Sequence, residues 1–438
     1  MTGWLVFSVF LFFITTPERA VIISVFGGIL FLPVYTIDYP GIPALNKNTV
    51  VALGILIGGG LSGGTKEYPL YLRPYDIPML LWCFVVPMAT SLSNNLGLYY
   101  GLSVILENYL GWGVFYWAGR RYFGKLDTLK SLTRALIIGG MLYIPLIFFE
   151  IRMSPRINVI LYGFFAAEWR QHFRYGGYRP IVFMEHGIML SLFMAVAAMV
   201  AFWLWRNKSL TTVGHVPIAP LTIILIVASI LCRTASGWFF LVIGIGIYFL
   251  YKKNNSKIAI RVLIILVPLY IIARLTNVIS SGVVQLIASF LFDNERVASL
   301  SLRLMQENLF SLKALSRPFL GWGGYGRAWP VDPVTGTELI PMIDSLWVKL
   351  FGWYGFLGLT SVFSALGIGP WCVSNKNSNH SNTADINKIV LSIVVVFFMI
   401  DSLFNGMINP MYILIAGALL SNYLQENESF LLLENRLK

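Results

Sequence analysis

Residues 179–206 read RPIVFMEHGIMLSLFMAVAAMVAFWLWR, and this stretch decides the fold class. From Ile181 to Trp205 it is apolar apart from Glu185 and His186, which stand one turn from its start. A helix needs about 20 apolar residues to cross a bilayer. Open strands cannot satisfy their backbone groups in lipid, so the run is read as a membrane-spanning helix. Similar runs recur at about 4–16, 21–34, 49–63, 75–94, 97–118, 132–152, 216–232, 236–251, 259–275, 345–371, 388–407 and 410–424. The first two are separated only by Thr16-Pro17-Glu18-Arg19 and form either two spans or one broken span. The expectation is an all-α, polytopic integral membrane protein of about 12 transmembrane helices. Residues 1–438 then form a single transmembrane domain.

Composition agrees. The 438-residue chain is 57% hydrophobic, with a mean hydropathy of +0.72, and only 12% charged. Soluble domains carry about 25% charged residues. Basic cytoplasmic loops explain much of the net charge of +12, so it implies no nucleic-acid partner. Cys83, Cys232 and Cys372 lie in or beside apolar runs without CxxC spacing, which argues against a disulfide framework or a metal site. The N-terminus has neither a basic leader nor a small-residue cleavage site, so a cleaved signal peptide is not expected.

The loops 119–130, 206–208, 252–257 and 376–388 are basic and fall on one side, assigned to the cytoplasm. An Arg-rich loop at 153–180 and a large loop at 277–343 then lie outside. In this topology eleven of the nineteen arginines fall in or beside outer loops, but only two of the thirteen lysines. Guanidinium is a planar fork that binds phosphate bidentately, whereas ammonium is a hydrated point charge. The sorting predicts a phosphate or diphosphate held at the outer mouth. Contact with membrane lipid headgroups is the plainer reading.

Within the large loop, residues 283–292 are apolar but too short to span comfortably. Residues 296–315 repeat at helical spacing, with Val297, Leu300, Leu304, Met305, Leu312 and Leu315 on one side and Arg296, Arg303 and Glu307 on another. An amphipathic helix lying in the membrane interface is expected. No convincing internal repeat is present, which weakens a transporter built from inverted repeats.

The densest polar segment runs from Glu150 to Gly187. Between residues 151 and 180, Arg152, Arg156, Arg170, Arg174 and Arg179 face one acid, Glu168. Tyr175-Gly176-Gly177-Tyr178 predicts a tight turn. Trp169 and Tyr178 suit sugar stacking or, equally, an interfacial aromatic belt. Arg179, just before Pro180, is a candidate fixed cation. Glu185 and His186 are candidates as ionisable groups within a span, or are held by loop neighbours. Arg233 sits in a short outer turn before Thr234-Ala235-Ser236-Gly237, where Ser236 and the first amides of the next helix add anion donors. The glycines of RPFLGWGGYGR (317–327) predict strained or closely approached backbone, and Arg327 closes the motif. Asp344 precedes the apolar SLWVKLFGWYGFLG and is either a helix cap or a general base. Lys349 and Asp401 are expected to pair with each other inside the bundle.

The segments LIFFEIRMSPRIN, FRYGGYRPIVFMEHG, Arg233-Thr234-Ala235-Ser236, SLRLMQENLF and RPFLGWGGYGR with IDSLWVKLFGWYGFLG resemble signatures of the O-antigen ligase and polymerase superfamily of bacterial membrane proteins. The resemblance covers roughly 130–365. It implies a helical fold like that of lipid-linked-sugar glycosyltransferases (GT-C-like), in the inner membrane with its site facing the periplasm. It further implies transfer of a glycan from an undecaprenyl-diphosphate-linked donor to a hydroxyl on a glycan, lipid or protein acceptor. Family arginines bind the diphosphate, a role carried onto Arg233 and Arg303. The residue pattern itself adds Arg179, Arg174, Arg156, Arg327, Tyr178, His186 and Glu185 as substrate contacts. Where the family commonly has histidine then asparagine, this chain has Asp344-Ser345, so Asp344 takes the place of the base. No DxD-like pair lies outside, and a metal-free, cofactor-free reaction is expected. A lipid-linked-glycan flippase and a non-catalytic export scaffold are the alternatives.

Overall fold

The structure, a computed structural model, describes the chain except residues 40–41, 64–67, 166–171, 255–256, 292–293, 325, 333, 340–342, 376–382 and 438. Glu168, Trp169 and Arg170 of the outer loop therefore lie outside the described residues. The chain is 74% helical, with only short antiparallel hairpins as strand. Six helices among the described residues are long and apolar enough to span a membrane: Pro74–Ser93, Leu126–Met153, Gly187–Arg206, Ala235–Asn254, Ile258–Leu275 and Leu346–Asn375. Three shorter apolar helices, Thr2–Ile14, Lys47–Leu61 and Ile218–Leu231, accompany them. This is an all-α membrane protein.

The stretch that opened the sequence reading becomes the central post. Gly187–Arg206 has 89% of its apolar window buried, and small residues make that possible. Its Ala197 meets Gly140 of Leu126–Met153, while Gly244 of Ala235–Asn254 packs on Met199 and accepts a hydrogen bond from Trp203 Nε1 at 3.0 Å. The first two runs resolve as separate antiparallel helices. Trp4, at the start of one, packs on Gly27 and Gly28 at the end of the other.

Polar contacts gather the basic loops at one end of the bundle. Lys257 and Arg261 donate to the carbonyls of Val373 and Ser374, Thr133 bonds Asn387 at 2.8 Å, and Asn422 donates to the Gly124 carbonyl. At that end Arg120 is buried against Asp76 at 2.7 Å. The Arg-rich segments occupy the opposite end.

The loop after Leu126–Met153 is tied down by one carboxylate. Glu150, 1% exposed, accepts from the backbone N–H of Ile157 (3.3 Å), Ile181 (2.8 Å) and Val182 (2.8 Å). Val182 is held at φ 58, a region that β-branched residues avoid. Glu150→Ala is therefore expected to strand three buried donors, at about 1–3 kcal/mol each. Thermal unfolding in detergent checks this: the alanine variant should melt well below Glu150→Gln, and equal melting temperatures would remove the anchor role.

A helix forms over Asn294–Ala314, but its faces differ from the expected ones. Leu304, Glu307, Phe310 and Ala314 are buried, while Met305, Leu312 and Leu315 are exposed. Glu307 turns inward because a buried cation, Arg274, meets it there at 3.2 Å.

Gly355 breaks the helix Leu346–Asn375 at φ 63 and ψ −163. The glycine-rich segment is annealed to that break. Trp322 N–H donates to Gly352 O (2.9 Å), Gly323 N–H to Trp353 O (3.0 Å), and Phe356 N–H to Pro318 O (2.7 Å). The close backbone approach expected of these glycines is made, and its partner is the protein's own helix.

Candidate functional site

At the Arg-rich end, Phe173–Arg174 pairs with Gly177–Tyr178 as a hairpin. Its two turn residues, Tyr175 and Gly176, have φ 49 and 71. Positive φ at both positions defines a type I′ turn. Arg233, itself at φ 51, secures the hairpin from the neighbouring helix turn. Its Nη1 donates to the carbonyls of Arg174 (3.2 Å) and Tyr175 (3.0 Å), and its guanidinium packs against Gly177, where a Cβ would overlap it. Tyr175 packs on Trp238 with ring centroids 5.0 Å apart, and Tyr178 meets Phe173 edge-on. Beside Arg233, the buried Ser236 hydroxyl has no hydrogen-bond partner among the described residues.

Arg179 leaves the hairpin through an N–H bond to His172 O at 2.7 Å and is 4% exposed. Its Nη2 lies 3.2 Å from His186 Nε2. His186 caps the central helix, its Nδ1 lying 3.2 Å from Ile188 N–H. A neutral imidazole accepts through only one nitrogen. The ring therefore accepts from one of two donors, Ile188 N–H or the Arg179 guanidinium, according to its tautomer. Burial, then Arg179, Arg303, His172 and Arg174, push the His186 pKa down to about 3. Its folded value lies below its unfolded one, so its contribution is intact above about pH 6.5 and is lost as pH falls toward 3. We expect His186→Gln to flatten the fall in melting temperature between pH 6.5 and 4; an unchanged slope would show that another group controls it.

Arg303 Nη2 and Asp344 Oδ2 are 3.0 Å apart, each side chain 33% exposed. Beneath them, Glu307 receives Arg274 Nε (3.2 Å), Ser345 Oγ (2.7 Å) and Trp347 Nε1 (3.3 Å), which fixes the backbone next to Asp344. The helix begins at Leu346, so the cap position belongs to Ser345, while Asp344 turns to Arg303. Glu185 interacts electrostatically with Lys47 and Lys349, and Lys349 with Asp344. The expected Lys349–Asp401 pair does not form. Asp401 instead accepts from Asn405 Nδ2 at 2.9 Å and feels the charge of Arg303.

The structure thus assembles Arg174, Arg179, His186, Glu185, Arg303 and Asp344 at one end of the bundle, with Tyr178 on the hairpin and Arg233 bonded to it beside them. Six cations (Arg174, Arg179, Arg233, Arg303, Lys47 and Lys349) outnumber the carboxylates Glu185, Asp344 and Asp401. The arrangement offers several fixed donors and two half-exposed carboxylates, Glu185 and Asp344, suited to an anion next to a group that loses a proton. Two expected members stand apart. Arg156 is exposed at the start of Ile157–Tyr162 and makes no side-chain bond among the described residues. Arg327 lines a different cavity.

Sequence reasoning missed Lys47, which donates to Phe183 O at 3.3 Å and is buried. A charge at the head of an apolar run was the available signal. It also missed the role of Glu307, because a helical wheel cannot show that a buried arginine waits on the adjoining helix. Among known proteins, no family model, no curated protein and no solved structure matches the chain. What fold and site define is an all-α membrane protein with an electropositive, carboxylate-bearing site at one end.

Proposed function

We propose that this chain is a glycosyltransferase of the O-antigen ligase or polymerase kind, with a GT-C-like architecture of about 12 spans in a bacterial inner membrane. It moves a glycan from an undecaprenyl-diphosphate-linked donor to an acceptor hydroxyl at the periplasmic face. The observation that carries this reading is the accessible Arg303–Asp344 pair inside a surplus of arginine. The Lys-rich opposite end supports the orientation, since cytoplasmic loops collect positive charge.

The reaction needs a base and a stabilised leaving group. Asp344 takes the proton of the acceptor hydroxyl as its oxygen attacks the anomeric carbon. The bond from that carbon to the diphosphate oxygen breaks, and the negative charge leaves with the diphosphate. Arg303 and Arg179 hold that charge, joined by Arg233 and the Ser236 hydroxyl at the hairpin. A guanidinium prefers a bidentate phosphate to a half-exposed single carboxylate contact. Donor binding at Arg303 therefore releases Asp344 for its role as base, which couples the two substrates.

A flippase predicts broken helices, and Gly355 breaks one. Its freed backbone groups are taken by residues 318–323, which leaves fewer to line a path. The two readings part on product. Purified protein given donor and acceptor should yield a glycosylated acceptor; donor that only changes leaflet in proteoliposomes would replace the transferase by the flippase.

A further inference from the structure

Arg317 and Arg327 flank the glycine-rich segment and line a cavity of about 370 Å³ together with Ser93, Asn94, Asn95 and Trp322. Small-ligand sites span about 300–1,000 Å³. One residue arranges both cations. The Oδ1 of Asn94 accepts from Arg317 Nη1, and its main-chain carbonyl accepts from Arg327 Nη1 at 3.3 Å. Asn94 is itself fixed, donating through Nδ2 to the carbonyls of Thr90 (2.9 Å) and Gly321 (3.1 Å). Arg317 also lies over the Trp322 ring, 4.3 Å from its centroid.

Holding two guanidiniums at one cavity costs repulsion unless an anion joins them. Among the described residues neither makes an ion pair, and no carboxylate lines the cavity. Glu338 lies across Gly326, outside the lining. The cavity is also remote from the Arg303–Asp344 pair. From Arg303 to Ala314 the chain is helical, which separates the two places by about 16 Å along the axis.

Its surroundings identify the kind of anion. Leu92, Leu98, Tyr99 and Phe319 are 57%, 64%, 69% and 75% exposed close by in the chain. In a membrane protein such side chains belong to lipid, and arginines above them lie at headgroup level. We propose that the Arg317–Arg327 cavity binds the phosphate headgroup of a membrane amphiphile, as a second anion site independent of glycosyl transfer.

Native mass spectrometry of the full chain in neutral detergent tests this with phosphatidylglycerol, undecaprenyl monophosphate and inorganic phosphate as probes. A lipid adduct is expected on the wild type, with apparent affinity at least about tenfold weaker in Arg317→Gln/Arg327→Gln, as lost guanidinium contacts imply. Preference between the two lipids distinguishes a structural phospholipid from a polyprenyl carrier, and either supports the site. Lipid binding that ignores both arginines overturns it, as does arginine-dependent binding of inorganic phosphate alone. Arg327→Gln, whose side chain is exposed, keeps the test open if the double variant does not fold.

Discussion

Arg303→Ala is expected to lower the proposed glycan transfer by about 10²–10³-fold, the loss typical of one donor removed from a developing oxyanion. The protein should remain folded. Arg303 makes one ion pair, and both partners are a third exposed. Pairs of that kind contribute about 1 kcal/mol or less. The activity loss would therefore be chemical and not a collapse of the bundle. Arg303→Lys should recover little, because an ammonium cannot reproduce the planar fork on a phosphate. Measuring turnover and melting temperature on the same samples separates the effects. Activity within a few-fold of wild type, in a variant with normal melting, would remove Arg303 from the diphosphate site.

Gly355→Ala should produce the largest loss of stability. The residue combines positive φ with an extended ψ, a region essentially reserved for glycine and costing about 1–3 kcal/mol for other residues. An added Cβ would also overlap the Phe319 carbonyl on the annealed segment. Relieving that overlap means parting the 318–323 backbone from 352–357, with the hydrogen bonds between them. Several kcal/mol is a large share of the about 5–15 kcal/mol that a fold has. Gly246→Ala is the matched control. It lies inside the helix Ala235–Asn254 with nothing within 4 Å of an added Cβ, so it should be neutral or slightly stabilising. If both variants melt alike, the helix break is not the fixed junction described.

Much of this was written into the sequence at the level of single elements. The apolar runs give the helices because lipid leaves few alternatives, and the tight turn at 175–178 follows from its glycines. The sorting of arginine points to one end of the bundle, where Arg303 and Asp344 meet although 41 positions apart. What was not legible depends on partners distant in sequence. Glu307 looked like part of a wet face until Arg274 was seen buried beside it. Lys349 and Asp401 were matched by charge and hydropathy alone, yet Asn405, four residues on, satisfies the aspartate. Arg233 read as an open cation but spends Nη1 on two hairpin carbonyls. Nothing in the sequence joins Arg317 to Arg327 at one cavity, since the turn that unites them, at Asn94, lies more than 200 residues earlier.

The most direct test of the central claim is release of undecaprenyl diphosphate from an oligosaccharide-linked donor by purified protein in nanodiscs with an acceptor present, comparing wild type with Asp344→Asn. Release by the wild type, reduced at least about 10²-fold in a normally folded Asp344→Asn, is the result expected of a general base. Equal release by both would contradict the assignment of Asp344, and tight donor binding without release by either would contradict glycosyl transfer itself.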